Sequence, residues 1–150
     1  WRLRKMAAGV NTPAILVTNS GNQSISNATS TLVTFDTETV DTDAAFASNT
    51  FTVPTGGDGM YGIFVRGSMQ GVDAGEFAQA RIYKNGTAVG FFENRMASHA
   101  DDTEFKFSGG GFLSLAAADT IKMYWYQGSG DSQNLNQAGL YIFQVQSGGL

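Results

Sequence analysis

A nucleophilic triad needs a histidine, and this chain of 150 residues has one, His99, set in Met96-Ala97-Ser98-His99-Ala100-Asp101-Asp102. No Gly-x-Ser-x-Gly elbow accompanies it anywhere in the sequence. The complete absence of cysteine removes thiolate chemistry, disulfides and Cys-based metal sites together. Thirteen Asp and Glu residues make some carboxylate pair inevitable, so pairing by itself carries no signal for glycoside hydrolysis. Gly56-Gly57-Asp58-Gly59 and Gly109-Gly110-Gly111 lack the Lys-Ser/Thr ending and the strand–loop–helix setting of a phosphate loop, and read as turns or bulges. These residues point away from catalysis and toward a protein that binds or builds, with no resident cofactor except possible calcium.

Charge narrows the partners. Arg2, Arg4 and Lys5 open the chain, and the rest of it holds 6 basic against 13 acidic residues. So acidic a body disfavours nucleic acid as a partner. No apolar run approaches the ~18 residues of a membrane helix, which argues against membrane insertion by that route. The chain does not begin with Met, which fits a fragment or processed product. Residues 1–13 read as a tether and 14–150 as one domain, long enough to bury roughly two-thirds of its unfolded surface.

The elements that would hold a binding site are strands. Charged residues make up 15% of the chain against the usual ~25%, while Gly, Thr, Ser and aromatics are plentiful. No window of a dozen residues repeats apolar side chains at i, i+3, i+4 and i+7 between caps. Strands are expected at Ala14–Thr18, Ser24–Ser26, Thr31–Glu38, Phe51–Pro54 and Met60–Met69. They continue at Phe77–Lys84, Thr87–Glu93, Thr103–Leu115 with a break at Gly109–Gly111, Thr120–Gln127 and Ala138–Gln146. Asn85-Gly86 is the strongest hairpin signal, since both residues tolerate the positive φ of a type I′ turn.

Alternation then implies self-association. Tyr141, Phe143 and Val145 take one face of the last strand while Leu140 and Ile142 take the other; Tyr124-Trp125-Tyr126 and Met60–Val65 are likewise apolar on both faces. A monomeric sandwich would leave such outer faces as a patch larger than soluble monomers usually tolerate. Burial against a symmetry mate removes it, and Tyr61, Phe64, Tyr124, Tyr126, Tyr141 and Phe143 are the expected contacts; cover by neighbouring loops is the competing reading.

Six motifs in order carry a resemblance: Phe35-Asp36, Phe51-Thr52-Val53-Pro54, Gly59-Met60-Tyr61, Lys84-Asn85-Gly86, Leu115 through Asp119 to Ile121, and Leu140-Tyr141-Ile142-Phe143. Over about residues 13 to 147 the chain resembles the globular heads of the complement-C1q and tumour-necrosis-factor family. Ala118 stands where that family usually has Gly, and the last strand lacks the usual Gly between its aromatic positions. The resemblance implies an all-β, two-sheet antiparallel jelly roll of nine to ten strands, assembled as a homotrimer.

In such a jelly roll, loops Gly71–Glu76, Asn94–Glu104 and Gly128–Gln137 gather at the end opposite the C-terminus, with the Asn85-Gly86 turn at the terminal end. Loops on a rigid scaffold are the default recognition surface, so Asp73, Glu76, His99, Tyr126, Asp131, Gln133, Asn134 and Asn136 are the expected ligand-binding residues. Asp101, Asp102 and Asp131 offer the hard oxygen ligands that suit calcium, which heads of this family can hold near the apex; a solvated acidic rim explains the same residues. The expected role is a trimeric virion surface protein, such as a phage head-fibre, decoration or receptor-binding knob. Its partners would be itself, other virion proteins and a host-surface glycan or protein. An extracellular recognition module binding glycans or proteins is the alternative.

Overall fold

Alternation decides which side chains meet. In the strand Thr120–Gln127, Ile121, Met123 and Trp125 are buried and the residues between them are not. The same rhythm runs through a set of strands in the computed structural model, which describes residues 12–90, 94–97 (backbone only) and 104–148. They are β1 (Ala14–Asn19), β2 (Gln23–Ile25), β3 (Thr31–Leu32), β4 (Thr37–Asp41), β5 (Phe46–Ala47), β6 (Thr50–Thr52) and β7 (Gly59–Met69). Then come β8 (Phe77–Lys84), β9 (Thr87–Ala88), β10 (Asn94–Ala97), β11 (Phe105–Leu115), β12 (Thr120–Gln127) and β13 (Gln133–Ser147).

Two antiparallel sheets result. The first runs β11-β7-β13-β1-β4, with β2 also paired to β13; the second runs β10-β8-β12-β6-β5, with β3 on β12 and β9 on β8. The expected all-β jelly roll is the fold observed. Its core lies between the sheets, where Trp125 from β12 reaches across to β7. A Cβ at Gly67 would stand 2.3 Å from that indole, so only glycine lets the sheets close there. Phe107 meets the same indole edge-on at 6.2 Å, and Phe51 meets Tyr61 at 5.8 Å.

Three expectations about elements need correction. Thr31–Glu38 is two strands, because the chain crosses between sheets: the Val33 amide donates to Met123 of the second sheet and the Asp36 amide to Thr18 of the first. Asp36 fixes the crossing by accepting from the amide and hydroxyl of Ser20. Gly109–Gly111 does not break its strand; β11 pairs continuously with β7, Gly110 opposite Phe64. A Cβ at Gly110 would lie 2.4 Å from the Phe64 ring, so the glycine makes room for the aromatic across the ladder. Pro13, assigned to the tether, is buried, and its carbonyl accepts from the Gln144 amide.

Three of the motifs that carried the resemblance, Phe51–Pro54, Lys84-Asn85-Gly86 and the run from Leu115 to Ile121, meet at the terminal end of the sandwich. Asn85 (φ 50°) and Gly86 (φ 80°) form the expected left-handed hairpin turn. Asp119 latches it, accepting from Lys84 Nζ at 2.8 Å, Asn85 Nδ2 at 2.6 Å and the Ala116 amide at 2.8 Å. Asn85 Oδ1 accepts in turn from the Thr120 amide at 2.8 Å. Val53 is bonded on both sides to the same loop, donating to Asp119 and accepting from Ala118. Partial burial pushes the Asp119 carboxyl upward, but the bonds from Lys84, Ala116 and Asn85 outweigh it and hold it below the ordinary aspartate value.

Candidate functional site

The outer face of the first sheet is apolar at one end. Phe64, Phe112 and Phe143 are 38%, 57% and 40% exposed, and Val145 and Val40 lie on the surface with them. The rings touch one another. Phe64 stacks on Phe143 with centroids 5.9 Å apart and planes 8° from parallel, while Phe112 meets Phe64 edge-on at 6.3 Å. They lie flat because glycine faces them: Gly110 opposes Phe64, and Gly62 opposes Phe143 and Phe112. Half-buried Tyr141 continues the patch, with the Arg66 guanidinium 5.8 Å from its ring centre. A cleft of about 420 Å³ opens there beside Phe64, Gly110 and Tyr141. A more polar cleft of about 290 Å³ adjoins it, lined by Arg66, Ser68, Lys106, Ser108 and Gln137.

The six residues expected at one contact therefore occupy three places. Phe64, Tyr141 and Phe143 share this face. Tyr61 does not: it is fully buried between the sheets, its hydroxyl donates to the Gly57 carbonyl, and burial pushes its pKa up to about 12. Tyr61 and Phe64 differ in parity along β7, so they point to opposite sides. Tyr124 and Tyr126 sit on the outer face of the second sheet, on the far side of the sandwich. There Tyr124 packs on Tyr83 at 4.4 Å, and Tyr126 is stacked with Phe77 at 5.7 Å under the Arg81 guanidinium at 4.2 Å. Phe112 was not expected on this face; Val145 was, beside Tyr141 and Phe143, though not among the six contacts. Carrying the period of two unbroken through Gly109–Gly111 would have placed Phe112 opposite Gly62.

At the end away from the C-terminus, residues 70–76 and 128–132 are held close, since the Gln70 amide donates to Asn134 and the Gly128 amide to Phe77. Asp73 and Glu76 close a turn of their own: the Asp73 amide donates to Glu76 Oε2 at 2.7 Å and the Glu76 amide to the Asp73 carbonyl at 3.0 Å. Fully buried Gln127 pins the second loop. Its Nε2 donates to the Ile25 carbonyl at 3.1 Å and the Asp131 carbonyl at 2.7 Å, and its Oε1 accepts from the Ser129 amide at 2.7 Å.

Two of the expected loops are shorter than their sequences implied. Gln133 and Asn134 begin β13, paired with Ile25 and Ser24 of β2. Asn136 occupies a bulge between Leu135 and Gln137, its Oδ1 buried with no hydrogen-bond partner among the described residues. Asn94–Ala97 forms β10 beside β8 instead of a loop. His99, Asp101 and Asp102 lie outside the described residues. Among the described residues no three His, Asp or Glu side chains gather as a metal site.

No family model matches the chain, and no curated protein does. Solved structures do. The globular domain of the zebrafish complement 1qA protein superposes with a TM-score of 0.65 at 20% identity, covering 91% of this chain and 99% of that one. The likeness shows the fold, a jelly roll of the complement-head type.

Proposed function

We propose that this complement-head jelly roll is a non-enzymatic homotrimeric module, closed on the aromatic face of its first sheet and presenting loops 70–76 and 128–132 to a partner. The observation that carries the reading is the exposed cluster of Phe64, Phe112 and Phe143. With a Phe side chain offering about 200 Å², these three rings leave roughly 270 Å² of apolar surface in water, before Val145, Val40 and Tyr141 are added. Soluble monomers rarely expose more than a few hundred Å² in one patch. Packing against copies of the same face removes it, and a closed ring needs no second kind of partner.

Within this reading the trimer is a virion surface head: a fibre head, decoration or receptor-binding knob. The cysteine-free, Gly- and Thr-rich composition and the acidic body support it. The second reading, an extracellular module binding glycans or proteins, draws on the likeness to a complement head and on the polar loop residues Asp131, Gln133 and Asn134. Calcium at Asp101, Asp102 and Asp131 belongs to either reading, and calorimetric titration with Ca²⁺ tests it.

Native mass spectrometry and sedimentation should find a trimer; a stable monomer at ~10 μM overturns the assembly. Antibody labelling of particles decides location: signal on virions supports the head, and signal confined to a cellular secreted fraction favours the second reading. Replacing residues 128–132 by a Gly/Ser linker should abolish partner adsorption while leaving the trimer intact.

A further inference from the structure

Beyond Phe64, along β7 toward loop 70–76, the outer face of the first sheet turns from apolar to cationic. The ladder sets Arg66 opposite Ser108 of β11 on one side and Gly139 of β13 on the other, and Ser68 opposite Lys106 and Gln137. Arg66, Ser68, Lys106, Ser108 and Gln137 line the polar cleft of about 290 Å³, and Arg66 and Ser108 also border the apolar cleft beside Tyr141.

This cleft is rich in donors and short of acceptors. Glu104, the carboxylate described beside it, is committed: Oε1 accepts from Ser68 Oγ at 2.6 Å and Oε2 pairs with Lys106 at 2.9 Å. That leaves the Arg66 charge. Among the described residues no carboxylate pairs with Arg66, and no hydrogen bond engages its guanidinium, the Ser108 hydroxyl or the Gln137 side-chain amide. All three residues are exposed, yet the arginine is held in place. A Cβ at Gly139 would stand 2.9 Å from Arg66 Nε and 3.1 Å from its Cγ, so the glycine lets the stem lie across β13. The guanidinium carbon then sits 5.8 Å from the centre of the Tyr141 ring. A flat bed and a neighbouring ring orient the planar fork in advance, which lowers the ordering cost of binding.

We propose that this cleft is an oxyanion site, in which the Arg66 fork takes two oxygens of a carboxylate, sulfate or phosphate group. Ser108 and Gln137 donate from the strands on either side, and the Lys106–Glu104 pair closes the end toward the loops. A guanidinium meets such a group with two parallel bonds, where an ammonium offers only a point charge. Ser108 faces Arg66 directly and Gln137 stands on the diagonal, at spacings of about 5 and about 8 Å that long side chains can bridge. The site is built within one chain and does not depend on the trimer. A free inorganic ion and the acid group of a sugar offer it the same chemistry.

The test is amide NMR on the nitrogen-labelled full chain, titrated with sulfate, glucuronate and glucose to about 50 mM at an ionic strength held constant with chloride. Sulfate and glucuronate should give saturable shifts at Arg66, Ser108 and Gln137, and glucose none. Arg66→Gln should weaken both anions by about tenfold or more, with Arg66→Lys falling between it and the parent. Position 66 is exposed, and far-UV circular dichroism should show the fold kept. Glucuronate at least about threefold tighter than sulfate assigns the site to an acidic sugar, and a smaller ratio assigns it to a free ion. Shifts that do not saturate, that persist in Arg66→Gln, or that glucose reproduces overturn the site. A monomeric parent that binds sulfate sinks the trimer reading and leaves the oxyanion site standing.

Discussion

Phe143→Asp separates folding from assembly. The ring is 40% exposed in the single chain and touches Phe64 at 5.9 Å. Of about 200 Å² in such a side chain, roughly 80 Å² remains in water. At ~25 cal/mol/Å², burying that remainder contributes about 2 kcal/mol per copy, or ~6 kcal/mol in a trimer. The transfer term alone is thus worth on the order of 10⁴-fold in the assembly constant. A carboxylate buried without a partner adds several kcal/mol per site. Within one chain the roughly 120 Å² already buried and the stacking with Phe64 are together worth about 3.5–4.5 kcal/mol, below the ~5–15 kcal/mol stability of a typical domain. The expected product is a folded monomer with strand-type circular dichroism. Sedimentation velocity at ~10 μM reads the state directly. Tyr124→Asp, on the opposite outer face, is the control and should leave assembly unchanged. A Phe143→Asp protein that still sediments as the parent, or a Tyr124→Asp protein that alone dissociates, would refute the assignment of the contact to the first sheet.

Other perturbations probe the scaffold. Ala118 sits in the left-handed region at φ 69°, which costs an alanine about 1–2 kcal/mol; after about 0.4–1 kcal/mol of added chain entropy, Ala118→Gly should gain roughly 0.5–1 kcal/mol in thermal unfolding. Gly67→Ala puts a methyl 2.3 Å from the Trp125 ring and should destabilise by about 1–3 kcal/mol, seen as a lower urea midpoint with unchanged slope. Asp119 has its pKa depressed in the folded state, so its contribution is present above the unfolded value near 4 and is lost as pH falls through the lower folded one. Asp119→Asn should therefore lower stability at pH 7 and flatten the loss between pH ~5 and 3, measured by denaturant titration at each pH. An unaltered acid limb would show that the latch from Lys84, Asn85 and Ala116 is energetically silent.

How much of this was legible follows from what each signal encodes. Strand identity was, because runs rich in aromatic and branched residues are bounded by Gly, Asn, Asp and Ser clusters, and Asn85-Gly86 marks a turn. The crossing at Val33–Asp36 was not, since one apolar-polar rhythm runs through it while the hydrogen-bond partners change sheet. Gly109–Gly111 misled because glycine reads locally as a break, and its real reason lies across the ladder in Phe64. The candidate face was half legible: parity separates Phe64 from Tyr61 within a strand, but nothing in the order of residues tells which sheet Tyr124 and Phe143 belong to. Loops 70–76 and 128–132 lie at the end that antiparallel connectivity implied, while residues 98–103 of the third expected loop lie outside the described residues. The length of the loop from Gly128 was missed because Gln133–Gln137 is polar, and its strand character comes from pairing with β2.

The pairing of β1 with both β13 and β4 has a mechanical meaning. Ala14 enters at the same end as Phe143, and the strand runs from there toward the loops at 70–76 and 128–132. A load applied between the residues before Ala14 and a partner held at those loops acts along β1, so the bonds on both its sides are sheared together instead of opened one after another. A load between residues 12 and 148 would instead peel β1 from β13 pair by pair. The domain is built to hold when pulled end to end and to yield when its two termini are parted.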